Sequence, residues 1–336
     1  MGKNVVTNYP LTGVPLGSYT SGNFTYSSTI DAIDNLYAKW CYDTGFTKGL
    51  PIRVLMHGWS QQASDISQAG METVAQLSRC FVLVVGMRGR DSADGSMDIS
   101  AREIYDIYDA IQYVITHFSS LVNPENIIIS GYSGGGGNTL AFCCKFPDLP
   151  VLAVDYCGIS DYAYGVNSWK EDGFPVSLVQ GSDSAYARYA PYAIANYECL
   201  SYLLYIYHGA DDVTVLPHHS TMINDAFTGE TYSLKAGVGH ISGFAYESDY
   251  KNRAINIRKN SIGNTGSFKI IGYIKTSLFE IWLGNGMQEV ADLSYNVTTD
   301  QYTITPQTGS MEVTITQYDG KTKIETISEE TIITVV

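Results

Sequence analysis

The chain has 336 residues, 45% hydrophobic and 16% charged, the balance of a folded globular protein and not of a disordered one. A net charge of −14 argues against a nucleic-acid partner and gives no support to binding anionic membranes. No apolar run reaches the length needed to cross a bilayer, and the first six residues carry no secretory signal, so a cytoplasmic protein, or one carried on a larger assembly, is expected.

Residues 1–27 are rich in Gly, Ser, Thr, Tyr and Asn and read as irregular edge strands. Ser28 or Thr29 can cap a helix whose apolar face is Ile30, Ile33, Leu36, Tyr37 and Trp40. Ile52 to Met56 then makes a strand that runs into His57-Gly58-Trp59-Ser60, and a helix follows with Ile66, Met71, Val74, Ala75 and Leu77 on its buried face. Phe81 to Val85 is an all-apolar strand, followed by a loop in which Arg88 and Asp91 are expected to form ion pairs. Helical spacing returns at Ile104, Ile107, Tyr108, Ile111, Val114, Ile115 and Phe118, and Pro124 marks the entry to the next strand.

That strand carries Ile127-Ile128-Ile129, a run suited to burial on both faces of a parallel sheet. Gly131-Tyr132-Ser133-Gly134-Gly135 follows at once, and Thr139 to Phe142 reads as helix. Strand, sharp turn and helix around a G-x-S-x-G serine is the setting of a nucleophile elbow, which presents the hydroxyl above the sheet at the positive end of a helix dipole.

Further strands are expected at Val151–Asp155, Leu203–Tyr207 and Thr231–Leu234, with a helix over 217–227. The intervening stretch from Gly158 to Leu200 is too long for a simple connection and rich in aromatics, so it is read as a partial roof that admits short acyl groups. Phe268, Ile271, Ile274, Leu278 and Ile281 fall at helical spacing, which predicts a closing helix over 267–283. After Gly286 the pattern becomes short β-branched runs, giving a two-part chain: a catalytic domain over 1–286 and a small all-β module over 287–336 that serves attachment, oligomerisation or other assembly.

With these pieces in order, the chain resembles the α/β-hydrolase superfamily, and within it the esterase and prolyl-oligopeptidase-like branch. The resemblance rests on His57-Gly58-Trp59, on Arg88-Gly89-Arg90 with Ser92 and Gly95, on the serine turn, on His208-Gly209-Ala210-Asp211-Asp212, and on Gly237-Val238-Gly239-His240. It covers about residues 30–283 and implies an α/β fold, a mostly parallel sheet flanked by helices. It also implies Ser133 as nucleophile, His240 as base and Asp212 as the acid that orients it, with Asp211 as the alternative. The oxyanion hole would come from the backbone N–H groups of Gly134 and Trp59, with Ser60 as the other candidate.

The implied reaction is cofactor-free hydrolysis of an ester on a carbohydrate or polymer, an acetyl ester above all. A peptidase of the prolyl-oligopeptidase kind, or a silent hydrolase-like binding protein, stand as alternatives. No metal is expected: Cys41, Cys80, Cys143, Cys144, Cys157 and Cys199 lack ligand spacing and read as buried free thiols, and His218 and His219 have no Cys or carboxylate at ligand spacing. His57 and His208 are read as structural, and His117 as a helix-terminal ring.

Overall fold

The computed structural model describes residues 11–97, 102–147, 149–160, 204–226, 231–240, 266–276, 279–284, 289–296, 298–299, 301–307, 309–318 and 322–334. The strands are β1 (Thr12–Gly13), β2 (Tyr19–Tyr26), β3 (Leu36–Asp43), β4 (Phe46–Lys48), β5 (Leu50–Met56), β6 (Phe81–Val85), β7 (Val122–Tyr132), β8 (Leu152–Tyr156), β9 (Leu204–Gly209) and β10 (Thr231–Lys235). Between them lie α1 (Gln68–Ser78), α2 (Glu103–His117), α3 (Gly134–Lys145) and α4 (His218–Ala226). The eight-stranded sheet runs β10-β9-β8-β7-β5-β6-β3-β2. The six strands from β10 to β6 are parallel, and β3 and β2 close one edge antiparallel.

The residue types account for this order. β6 and β8 are buried along their whole length, as strands covered by helices on both faces must be. Helix α2 buries Ile104, Ile107, Ile111 and Val114 at three- and four-residue spacing, and α1 buries Met71, Val74 and Ala75. β7 departs from β5 between Asn123 and Ile127, where Pro124 sits, and regains register for the three isoleucines.

Two sequence expectations fail. The helix foreseen over 28–40 is instead a turn over 28–35 that leads into β3. Ala32 and Asn35 adopt left-handed backbone (φ 53° and 59°), which stops a helix before it can form. Beyond them, Trp40 stacks on Tyr42 and Phe81 across the pleated surface. The closing helix over 267–283 is also absent. Its described residues form β11 (Gly266–Ile271), β12 (Tyr273–Lys275) and β13 (Phe279–Leu283), broken at Gly272 (φ 66°) and after Thr276, whose N–H donates to the Phe279 carbonyl. In β13 the buried positions are Phe279, Ile281 and Leu283, a period of two that the wider helical count concealed.

These strands join β14 (Val290–Asn296), β15 (Gln301–Pro306), β16 (Met311–Gln317), β17 (Thr322–Ile327) and β18 (Thr331–Thr334). They build two four-stranded antiparallel sheets, β11-β14-β15-β18 and β12-β13-β16-β17. Phe279, Ile281, Leu293, Tyr302, Val313 and Ile333 lie in the core between them. Among the described residues the all-β region therefore begins at Gly266, and the boundary expected at 286 falls between two of its strands. It is seated on the first domain by aromatic rings. Tyr273 lies 5.2 Å from Tyr105 and 6.0 Å from Phe146, and Trp282 stacks on Tyr105 at 5.9 Å. The Lys275 ammonium stands 5.2 Å over Tyr108 and pairs with Glu280 at 3.6 Å.

Tyr273 belongs to the core of the α/β domain although its strand belongs to the sandwich. Tyr273→Ala should therefore cost roughly 3–5 kcal/mol, as buried aromatic truncations do. In calorimetry it should split one unfolding transition into two, and an unchanged single transition would show that the rings do not couple the two regions.

Candidate active site

Every residue singled out for chemistry lies just beyond the C-terminal end of a parallel strand, the edge where open α/β sheets place their sites. Ser133 follows β7 with φ 55° and ψ −122°, backbone that a non-glycine residue adopts only under constraint. The turn is held by the Ser133 N–H donating to the Tyr156 carbonyl at 2.9 Å. Close packing explains the glycines. A Cβ on Gly131 would lie 2.2 Å from the Gly135 carbonyl oxygen, and one on Gly134 would lie 1.8 Å from the Trp59 ring.

Asp212 follows β9 and is buried. Its Oδ1 accepts the N–H groups of Thr214 (2.8 Å) and Val215 (3.0 Å), and its Oδ2 accepts His240 Nδ1 at 2.7 Å. His208 Nε2 stands 3.3 Å from the same Oδ2. Burial alone would raise this carboxyl, but the hydrogen bonds from His208, His240 and Val215 outweigh it and hold it well below the usual carboxylate range. A carboxylate only accepts, so His240 carries its proton on Nδ1. Its Nε2 is then the nitrogen able to take a proton, the tautomer a general base requires. Asp211 is exposed and donates its N–H to the Val238 carbonyl; the carboxylate that meets His240 is that of Asp212.

The loop after β5 packs on the serine turn. Gly58 borders Tyr132 and Ser133, and the Trp59 ring borders Gly134. His57 Nδ1 reaches the Gly58 carbonyl at 2.9 Å. Burial, then the neighbouring Arg90, hold its imidazole down at about 4, so the ring is neutral at pH 7. Arg88 does not pair with Asp91 as the sequence suggested. It bridges Asp106 and Asp31, both at 2.6 Å, while Asp91 accepts the N–H groups of Ala63 and Ser64.

Three groups near the site had no assigned part in the sequence reading. Cys157 is buried with φ 50°, and its thiol, the Asp212 carboxylate and the His240 imidazole each place a donor atom within 4.8 Å of the others. They are the set among the described residues whose donors could converge on a metal, but Asp212 and His240 are already bonded to each other. His208, read as structural, carries its proton on Nε2, which reaches the Val215 carbonyl at 2.8 Å, and receives the Ser220 hydroxyl on Nδ1 at 2.6 Å. Asp155, on β8, is fully buried beside Gly136 and Gly158. The other described cysteines, Cys41, Cys80, Cys143 and Cys144, are buried, and Cys199 lies outside the described residues. The roof expected over 158–200 lies outside them too, apart from residues 158–160.

Residues 86–244 match the profile of the prolyl oligopeptidase family. Ser133, Asp212 and His240 fall after β7, β9 and β10, and solved structures with the same fold include an esterase and a peptidase. The chain has the α/β-hydrolase fold. The esterase Est22 is 16% identical with a TM-score of 0.52, over 70% of this chain and 78% of its own. The Pyrococcus furiosus esterase Pf2001 is 12% identical with a TM-score of 0.51, over 74% and 96%. The Pyrococcus horikoshii acylaminoacyl peptidase is 15% identical with a TM-score of 0.55, over 74% of this chain but only 43% of the peptidase. At these identities the likeness is one of fold. No curated protein matches the sequence. No helix among the described residues is long and apolar enough to cross a membrane.

Burial pushes the Asp155 carboxyl up from 3.8 to about 7, against the pull of His208. The folded state thus holds this proton more tightly than the unfolded chain, and stability falls as pH rises through that window. Asp155→Asn should remove this component, so that between about pH 4 and 7 the wild-type Tm drops more steeply, or rises less, than the variant's. Parallel curves would contradict the assignment.

Proposed function

We propose that the chain is a serine hydrolase that cleaves carboxylic esters through a covalent acyl-enzyme, with acetyl esters of carbohydrates as its substrate class. The observation that carries this reading is the 2.7 Å bond from His240 Nδ1 to Asp212, set at the same sheet edge as the strained turn of Ser133. A serine hydroxyl is a weak nucleophile and needs such a base. Ser133 Oγ attacks the acyl carbon while His240 Nε2 takes its proton. Asp212, kept ionised by its donors, stabilises the imidazolium. The N–H groups of Gly134 and Trp59 hold the oxyanion as the carbonyl becomes tetrahedral. His240 then protonates the departing alcohol, and water, activated by the same imidazole, releases the acid.

Support for a sugar ester comes from the composition between Gly158 and Leu200, where Tyr162, Trp169, Tyr186 and Tyr192 are side chains of a type that stacks on and hydrogen-bonds to sugar rings. The β-sandwich serves attachment to a polymer or assembly. Peptide hydrolysis is the second reading, favoured by the family profile over residues 86–244.

A fluorophosphonate should label the wild-type chain and leave Ser133→Ala unlabelled. Ser133→Ala and His240→Ala should each lower kcat by about 10⁶, with the double variant scarcely worse, because groups that act as a unit are not additive. Asp212→Asn should lose on the order of 10⁴ through the wrong imidazole tautomer. Asp211→Asn should stay close to wild type, and the opposite ranking would transfer the acid role.

On model esters, kcat/KM should fall from acetate through butyrate to octanoate. A steady climb to octanoate would replace the deacetylase reading with a lipase-like one. Cleavage of acyl-peptides in preference to acetyl-sugars would establish the second reading.

A further inference from the structure

We propose that Arg90 is a positioning residue for the oxyanion loop, fixing the peptide groups of residues 58–61 against the nucleophile turn; this rests on the hydrolase reading above. Arg90 is buried, 7% exposed. Its Nη1 donates to the carbonyls of Trp59 and Gln61, both at 3.0 Å. In a trans peptide the carbonyl and the next N–H point in opposite directions. Drawing the Trp59 carbonyl toward Arg90 therefore turns the Ser60 N–H to the other side. The Gly58 carbonyl is held by the Gln61 N–H at 3.1 Å and by His57 Nδ1, which sets the direction of the Trp59 N–H in the same way. These are the two N–H groups the sequence offers as oxyanion donors on this loop.

The same guanidinium faces the Trp59 ring, 5.8 Å from its centroid, and that ring abuts Gly134, the residue that supplies the other donor. Arg90 is itself held. Its Nη2 stands 3.9 Å from Glu103 at the start of α2. On one side of it Arg88 is bound to Asp31 and Asp106, and on the other Asp91 caps Ala63 and Ser64. A planar fork can engage two carbonyls in a fixed geometry, whereas a lysine offers one mobile point charge.

An ester whose carbonyl oxygen is replaced by sulfur accepts hydrogen bonds poorly, so the oxo-to-thiono ratio of kcat/KM reports how well the hole is formed. The full chain, Arg90→Met and Arg90→Lys would be compared on a matched pair of acetate and thionoacetate esters. Loss of one oxyanion donor lowers kcat by about 10²–10³, and Arg90→Met should approach that loss with KM changed less than about threefold. Its oxo-to-thiono ratio should collapse in step. Arg90→Lys keeps a cation beside Glu103, so it preserves the fold should Arg90→Met not, and should fall between.

A variant that keeps the wild-type ratio, whether its rate is unchanged or uniformly lower, overturns the assignment. If the wild-type chain neither takes up fluorophosphonate nor turns over the oxo ester, the hydrolase reading fails and this assignment falls with it. If the wild-type chain does both and the variants keep its ratio, only the role of Arg90 is lost.

Discussion

The site depends above all on how closely the start of α3 approaches the end of β5. A Cβ on Gly135 would sit 2.2 Å from the Met56 carbonyl oxygen, so helix and strand meet at backbone distance. That contact leaves Ser133 no relaxed conformation, and its left-handed backbone follows from the squeeze. It also brings the loop after β5 against the serine turn. The loop after β5 and the turn of Ser133 thus share one packing contact.

Around that contact, buried charge does the aligning. Arg88 ties the start of α2 to residue 31 through two carboxylates, and such a bridge is costly to break because removing one partner strands the rest in a low-dielectric interior. Asp212 follows the same logic with the sign reversed. Two backbone N–H groups and two imidazoles converge on it, so its negative charge is maintained next to His240 without a neighbouring arginine or lysine among the described residues.

The parallel part of the fold was legible because its signals are local. All-apolar strands such as Phe81–Val85, and helices with three- and four-residue spacing such as α2, carry their structure in a short window. Ser133, Asp212 and His240 could be picked out since each follows a strand and lies within a recognisable motif. What escaped was set by contacts distant in sequence. Leu36 to Trp40 has apolar spacing that suits helix or strand, and pairing with β6 decided the matter. Phe268 to Ile281 mimicked a helix because three short strands and their turns happened to share its period. Arg90 and His208 drew no chemical role because their partners, Trp59, Gln61 and Asp212, are known only once the loops are folded together.

The order of the sandwich strands has a consequence for synthesis of the chain. The eight-stranded sheet is complete once β10 has been made, at Lys235. The sandwich, by contrast, alternates between its two sheets, and β18, ending at Thr334, is needed to pair with β15. While the ribosome is still adding those last strands, the rings of Tyr105, Tyr108 and Phe146 on the finished domain have no cover from Tyr273 and Trp282. Until those strands are made, the sandwich that carries Tyr273 and Trp282 is incomplete and the α/β half lacks its aromatic cover, the moment when a chaperone would find most to hold.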